Sequence, residues 1–212
     1  MKRWLPAAAL IGLGALWLWT RQHSMTVADM VRHLPSNEGI VLVVDRAVIA
    51  QLAGEAGGEE PEYREFIEKT GFDFRKDLDR IVAVIGEPAS YYVASGRFDW
   101  KKISAYAGNC VKDVCAMPAS QPERWISLTR LSGNTMAIAV SPVQFAVTSM
   151  EVSRTPIVEW RDTPLWIRGK GKYFSRWGLS GEEMVEAQLK GRALELKAGT
   201  VSRTIPLDKV FD

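Results

Sequence analysis

Asp73, Asp77 and Asp79 fall within seven residues of one another, and closely spaced carboxylate oxygens are what a calcium ion seeks. The spacing is wrong for a calcium loop. No D-x-D-x-D-G run or following bidentate glutamate is present, and Arg75, Lys76 and Arg80 interleave with the acids. Capping and surface pairing are the expectation, with Asp73 or Asp77 opening a turn that feeds a strand at Ile81. Cys110 and Cys115 are the only cysteines. Zinc needs about four ligands, and the two histidines, His23 and His33, have no ligand-like spacing to them. The pair is expected to form a disulfide, with two free thiols as the alternative, and neither metal nor cofactor is expected.

Nucleophilic hydrolysis finds no support either. G-x-S-x-G and S-x-x-K are absent, and both histidines precede the expected folded region, so no base is placed to take a serine proton. Gly169 and Gly171 resemble a fragment of a phosphate loop, but no G-x-x-x-x-G-K-[ST] exists, and a basic turn is the simpler reading. A carboxylate pair working as acid and base meets only in the fold, so an anchored hydrolase of that kind stays open as the alternative function.

One segment has the composition of an interaction surface. Trp160, Trp166, Tyr173, Phe174 and Trp177 stand among Arg161, Arg168, Lys170, Lys172 and Arg176, and aromatic rings beside cations suit a membrane surface, a glycan or an envelope protein partner. The plainer alternative is a local core with solvated turns. The surface expected here comprises Trp160, Arg161, Trp166, Arg168, Tyr173, Arg176 and Trp177.

The N-terminus carries a location signal. Lys2 and Arg3 precede an uncharged run over residues 4–20 that closes on Arg21, and as a helix it would rise about 25 Å, the short limit for a bilayer core. Bulky polar residues rather than an A-x-A-like site follow it. An uncleaved transmembrane anchor is expected, with the N-terminus cytoplasmic and the bulk of the chain in the periplasm or outside. A cleaved signal, leaving a soluble exported protein, is the alternative. Residues 1–24 hold three cations and no acid, so the remainder carries 24 basic against 25 acidic residues. No cationic excess is left to neutralise phosphates along a polymer, and nucleic acid is not an expected partner.

These residues need elements to position them. Of the 212 residues, 47% are hydrophobic and 25% charged, enough for a packed core. The reading divides the chain into residues 1–24 as tip and anchor, 25–38 as a juxtamembrane segment, 39–154 as an α+β ectodomain, and 155–212 as a partial second β-rich unit. Val27, Met30, Val31 and Leu34 have helical spacing. A buried strand is predicted over 39–45, a helix opened by Pro61 and ended near Gly71, strands over 81–87 and 90–98, and a helix over 99–107 capped by Asp99. Strands over 125–131 and 135–140 then lead into a helix opened by Ser141 and Pro142. The order β-α-β-β-α predicts ferredoxin-like units, an antiparallel sheet with helices on one face, with β-β-α recurring at 81–107 and 125–150. Residues 182–199 are read as a hairpin turning at Gly191.

Several of these residues together resemble a family of exported, membrane-anchored bacterial proteins of unknown function. The likeness rests on Leu34-Pro35 before a strand ending near Asp45, on Thr70-Gly71-Phe72-Asp73 with Asp77-Leu78-Asp79-Arg80, and on Gly96-Arg97-Phe98-Asp99 ahead of a helix. It spans residues 34–150 and implies a membrane-tethered extracytoplasmic α+β protein. It supplies no catalytic residue. The expected function is a non-enzymatic binding or scaffolding module.

Overall fold

The computed structural model describes residues 25–36, 38–55, 61–119, 123–150 and 159–206. Its strands are β1 (Gly39–Asp45), β2 (Leu78–Gly86), β3 (Ser90–Gly96), β4 (Asn109–Val111), β5 (Val114–Pro118), β6 (Trp125–Ser132), β7 (Thr135–Ser141), β8 (Leu165–Lys170), β9 (Met184–Lys190), β10 (Ala193–Ala198) and β11 (Val201–Pro206). They form one eleven-stranded antiparallel sheet in the order β11-β10-β9-β8-β1-β2-β3-β7-β6-β5-β4. The helices are α1 (Val27–Arg32), α2 (Arg46–Glu55), α3 (Pro61–Thr70), α4 (Phe74–Asp77) and α5 (Trp100–Ala107), with 3₁₀ turns η1 (Ala146–Ser149) and η2 (Gly171–Trp177).

The β-branched run of β1 is central because both its faces are apolar. Val41 and Val43 point to one core, and Leu42 and Val44 to the other. Strands alternate faces at every residue, so a run without polar positions has to be covered on both sides. On one side α1 supplies Val27, Met30 and Val31, Leu34 follows just beyond it, η1 supplies Ala146 and Val147, and all of them pack with Val82, Val84, Val93 and Trp166. On the other, Val48 and Ile49 of α2 and Ile103 and Ala107 of α5 join Leu78, Ala94 and Leu128, while Phe174 and Leu179 cover Val185, Leu194 and Leu196.

This architecture corrects the expected fold class. A split β-α-β unit needs parallel strands joined by a crossover, whereas β1 and β2 are adjacent and antiparallel, with Asp45 opposite Arg80. Helices α2, α3 and α4 therefore form an excursion that leaves and re-enters at the same end of one strand pair. Helices lie on both faces rather than one. The helical limb expected at 141–150 is only the four-residue turn η1, because the Ser141 hydroxyl accepts from Val143 N–H at 3.1 Å in a local turn. No second β-β-α unit forms among the described residues. The segment 155–212 contributes β8 to β11 to the same sheet through the pairing of β8 with β1. No helix among the described residues is long and apolar enough to cross a membrane, and residues 4–20, where the anchor is expected, lie outside the described residues. Residues 25–36 hold α1, capped by Thr26 and Asp29 in a reciprocal box and docked on the sheet.

Other expectations hold. The hairpin over 182–199 forms, with β9 and β10 joined at Gly191, whose φ of 63° suits glycine in a two-residue turn. Cys110 and Cys115 form a disulfide, pairing directly across the edge hairpin β4–β5. That hairpin itself was not predicted, since its three-residue first strand is fully exposed and leaves no alternation to read.

Two outcomes are expected. Alkylation under denaturing conditions without reductant will label neither cysteine, and Cys110→Ser with Cys115→Ser will lower stability by about 2 kcal/mol, the chain-entropy value for so short a loop, as read from urea midpoints. His33, at the end of α1, is 9% exposed, and burial pushes its pKa below the ordinary 6.5, although a Met150 backbone hydrogen bond and the Asp29 charge oppose the shift. The unfolded chain then takes a proton more readily than the folded one. Stability contributed at neutral pH is therefore lost as pH falls below about 6.5. A urea midpoint that drops from pH 7.5 to pH 5.5, and drops less in His33→Gln, is the result expected.

Candidate functional site

The residues expected to share an interaction surface are divided by the sheet. Trp166 is 1% exposed and belongs to the core beneath α1 and η1, with Trp160 packed against the same cluster. Phe174 and Trp177 lie on the opposite face, rings 5.8 Å apart. Arg161 pairs with Glu186 at 2.6 Å, and Arg168 pairs with Glu159. Burial alone would raise the Glu186 pKa, but the side chains of Trp166, Gln188 and Arg161 directed at it hold it below the usual range. Tyr173, with Lys172 over its ring at 5.4 Å, and Arg176 remain at the surface. Period-two alternation along β8 explains the split: Leu165 and Ile167 face one core and Trp166 the other.

Two of the motifs that carried the family resemblance, Thr70–Asp73 with Asp77–Arg80 and Gly96–Asp99, meet at one end of the sheet. A Cβ at Gly96 would collide with the Asp77 carbonyl, so only glycine lets β3 pass this closely beside the end of α4. Arg97 N–H then donates to Asp77 O at 2.8 Å. The Arg97 guanidinium reaches Asp77 Oδ1 at 2.7 Å and the Lys76 carbonyl at 2.8 Å, while Arg46 donates to that same carbonyl at 2.9 Å and pairs with Asp79. Phe98 stacks on Phe72 at 5.1 Å, and Phe66 bridges Phe72 to Tyr106, which ties α3 to α5. Asp99 caps α5 through Lys102 N–H at 3.2 Å.

The aspartate cluster is consumed by these contacts. Asp73 Oδ1 accepts from Tyr63 Oη at 2.9 Å and Arg75 N–H at 3.1 Å, and Oδ2 pairs with Lys76 at 2.9 Å. Burial would raise Asp73, but these donors bring it below its ordinary value. Tyr63 is pushed up to about 12 by burial and by its bond to that carboxylate. Asp77 Oδ2 accepts from Asp73 N–H at 2.9 Å. Protein donors thus occupy the oxygens a cation would need, in line with the capping role read from the sequence.

Between these motifs and the β6–β7 turn opens a cleft of about 900 Å³, lined by Thr70, Gly71, Asp77, the stretch 96–102, Arg130, Gly133 and Asn134. Four cations line it, Arg97, Lys101, Lys102 and Arg130, against two carboxylates, Asp77 and Asp99. Sequence reasoning missed it because Arg130 lies 28 residues beyond Lys102, and only the β3–β7–β6 pairing brings the two together.

No protein-family model matches the chain, and no curated protein matches it. Solved structures of TP0453 resemble its fold. Crystal form I of TP0453 aligns with a TM-score of 0.54 at 9% identity, over 84% of this chain and 82% of that one. Form IV gives 0.51 at 7%, over 80% and 81%, and form III 0.50 at 7%, over 86% and 85%. At such identity the likeness is one of fold alone.

The split surface makes a direct prediction. Trp166→Ala will cost about 3–5 kcal/mol, the usual range for truncating a buried tryptophan, whereas Tyr173→Ala and Arg176→Ala will shift stability by no more than about 0.5 kcal/mol. Chemical denaturation of the three variants beside the wild type reads this.

Proposed function

We propose that the protein is a non-enzymatic binding module of an oxidising, extracytoplasmic compartment, and that its ligand-contacting site is the cationic cleft between β3, α5 and the β6–β7 turn. The observation that carries this reading is the cleft's lining. It has cations in excess and no histidine or cysteine, and both of its carboxylates are already engaged by Arg97 and Lys102. The alternative, a hydrolase with two carboxylates, needs a proton donor whose pKa is raised. Every carboxylate displaced among the described residues, Asp29, Asp73, Glu182, Glu186 and Glu195, is displaced downward. The Cys110–Cys115 disulfide supports the compartment, since such bonds persist where thiols are not kept reduced. An envelope component carrying negative charge fits the cleft as ligand.

The reading is tested by incubating the full chain with chromogenic esters, phosphate esters and glycosides. No turnover above a heat-treated control is expected. Turnover that disappears in Asp77→Asn or Asp99→Asn would assign the cleft to catalysis instead.

A further inference from the structure

The cleft's charges do not cancel, and what is left over has a definite arrangement. Arg97 is held by Asp77 Oδ1 at 2.7 Å and by the Lys76 carbonyl. Lys102 stands 3.9 Å from Asp99 Oδ2, and Asp99 Oδ1 accepts from the Lys102 amide. Two cations neutralise two carboxylates. Lys101, in the first turn of α5, and Arg130, on β6, have no ion pair among the described residues, and both are exposed toward the cleft from separate elements. Asn134 lines it too. Its Oδ1 accepts from Ser132 and Thr135 hydroxyls at 3.1 and 3.3 Å, which leaves its Nδ2 hydrogens as donors. Asp99 already caps α5, so the helix end is occupied and the attraction comes from side chains.

Resting on the binding reading above, we infer that the cleft takes a small phosphate ester, its phosphate held between Lys101 and Arg130. A phosphate monoester carries close to two negative charges at neutral pH, which matches the two unpaired cations, whereas one carboxylate would leave one uncompensated. The guanidinium fork of Arg130 suits two phosphate oxygens at once, and a lysine ammonium complements it as a point charge. The cleft is open to solvent and its volume of about 900 Å³ leaves room for a small ester between the two cations. A long polyanion is a poor fit, because it needs a continuous cationic track, and the next cation beside Lys101 and Lys102, Lys69, is already paired with Glu65.

The experiment is calorimetric titration of the full chain at low salt with inorganic phosphate, with glycerol 3-phosphate, with acetate, with citrate, and with vesicles containing phosphatidic acid. Wild type is compared with Lys101→Gln, Arg130→Gln, Arg130→Lys and, on the far wing, Lys190→Gln. Melting curves confirm that each variant is folded. Glycerol 3-phosphate is expected to bind, to weaken at least tenfold in Lys101→Gln and in Arg130→Gln, to recover in part in Arg130→Lys, and to be unchanged in Lys190→Gln. Acetate will not compete. Binding of soluble phosphates alone identifies a free ligand, and additional vesicle binding with the same variant dependence identifies a lipid headgroup; either supports the inference. Citrate binding that depends on Lys101 and Arg130, without phosphate binding, would overturn the phosphate assignment while leaving the binding reading in place. Equal behaviour of wild type and both glutamine variants toward every probe would overturn both.

Discussion

The pairing of β1 with β8 is the contact on which the molecule depends. It joins residues Val41–Val44 to a strand more than 120 positions later, and without it the C-terminal wing has no route into the sheet. Closing so long a loop is entropically unfavourable, though the penalty grows only logarithmically with length. It is offset here because β1 is apolar at every position from Ile40 to Val44 and β8 brings Leu165, Trp166 and Ile167 to both of its faces. Leaving β1 as an edge would expose a flat valine-rich strand, the kind of surface that folded proteins avoid. Burying it between β2 and β8 removes that hazard and provides the floor on which α1 and α2 rest.

A sheet this wide cannot be covered throughout by the five short helices of the described residues, and the sequence changes where the cover ends. Over the central strands both faces are apolar. Over β9, β10 and β11 only one face is, and the reverse carries Glu186, Gln188, Lys190, Glu195, Lys197, Ser202 and Thr204. Lys190 and Lys197 both pair with Glu195 on that polar face, contributing solubility more than stability. The single covered side is closed by η2, whose Phe174 and Trp177 pack on β8 and β9 while Arg203 donates to the Trp177 carbonyl at 2.6 Å.

Strand positions were legible wherever alternation or a β-branched run marked them: β1, β2, β3, β6, β7 and the β9–β10 hairpin stand where the apolar pattern puts them. Their partners were not. Antiparallel and split-parallel connections look the same along the chain, since a helix between two strands is compatible with either, and only the register of Asp45 against Arg80 decides. Trp166 shows the same limit at a single residue. Its neighbours Arg161 and Arg168 made it look like part of a surface, but alternation along β8 places its indole in the core and sends the cations to Glu186 and Glu159. The cleft was half legible. Gly96-Arg97-Phe98-Asp99 stood out as a unit, and its structural roles follow from its residue types, but nothing near it in the chain points to Arg130.

Those structural roles bear on how the cleft is shaped. Gly96 allows β3 to lie against Asp77, Arg97 then locks to Asp77 and to the Lys76 carbonyl, and Asp99 starts α5 three residues further on. Each contact is made by a residue whose neighbour is committed to another, so the α5 first turn is fixed from both sides, by the α4 end and by the aromatic chain Phe98–Phe72–Phe66–Tyr106. Lys101 sits in that turn. Its backbone is positioned by packing and its side chain is left without a partner among the described residues, which is how a rigid scaffold presents an unspent charge. Arg130 reaches the same place from the sheet itself, one strand beyond β7, and Gly96 is tied to the β6–β7 turn by its bond to the Asn134 carbonyl at 2.8 Å. A slip of β7 by one residue against β3 would turn Thr135 to the opposite face and move the β6–β7 turn away from Gly96. The separation of Lys101 from Arg130 is therefore set by strand register, and the site is as ordered as the sheet that carries it.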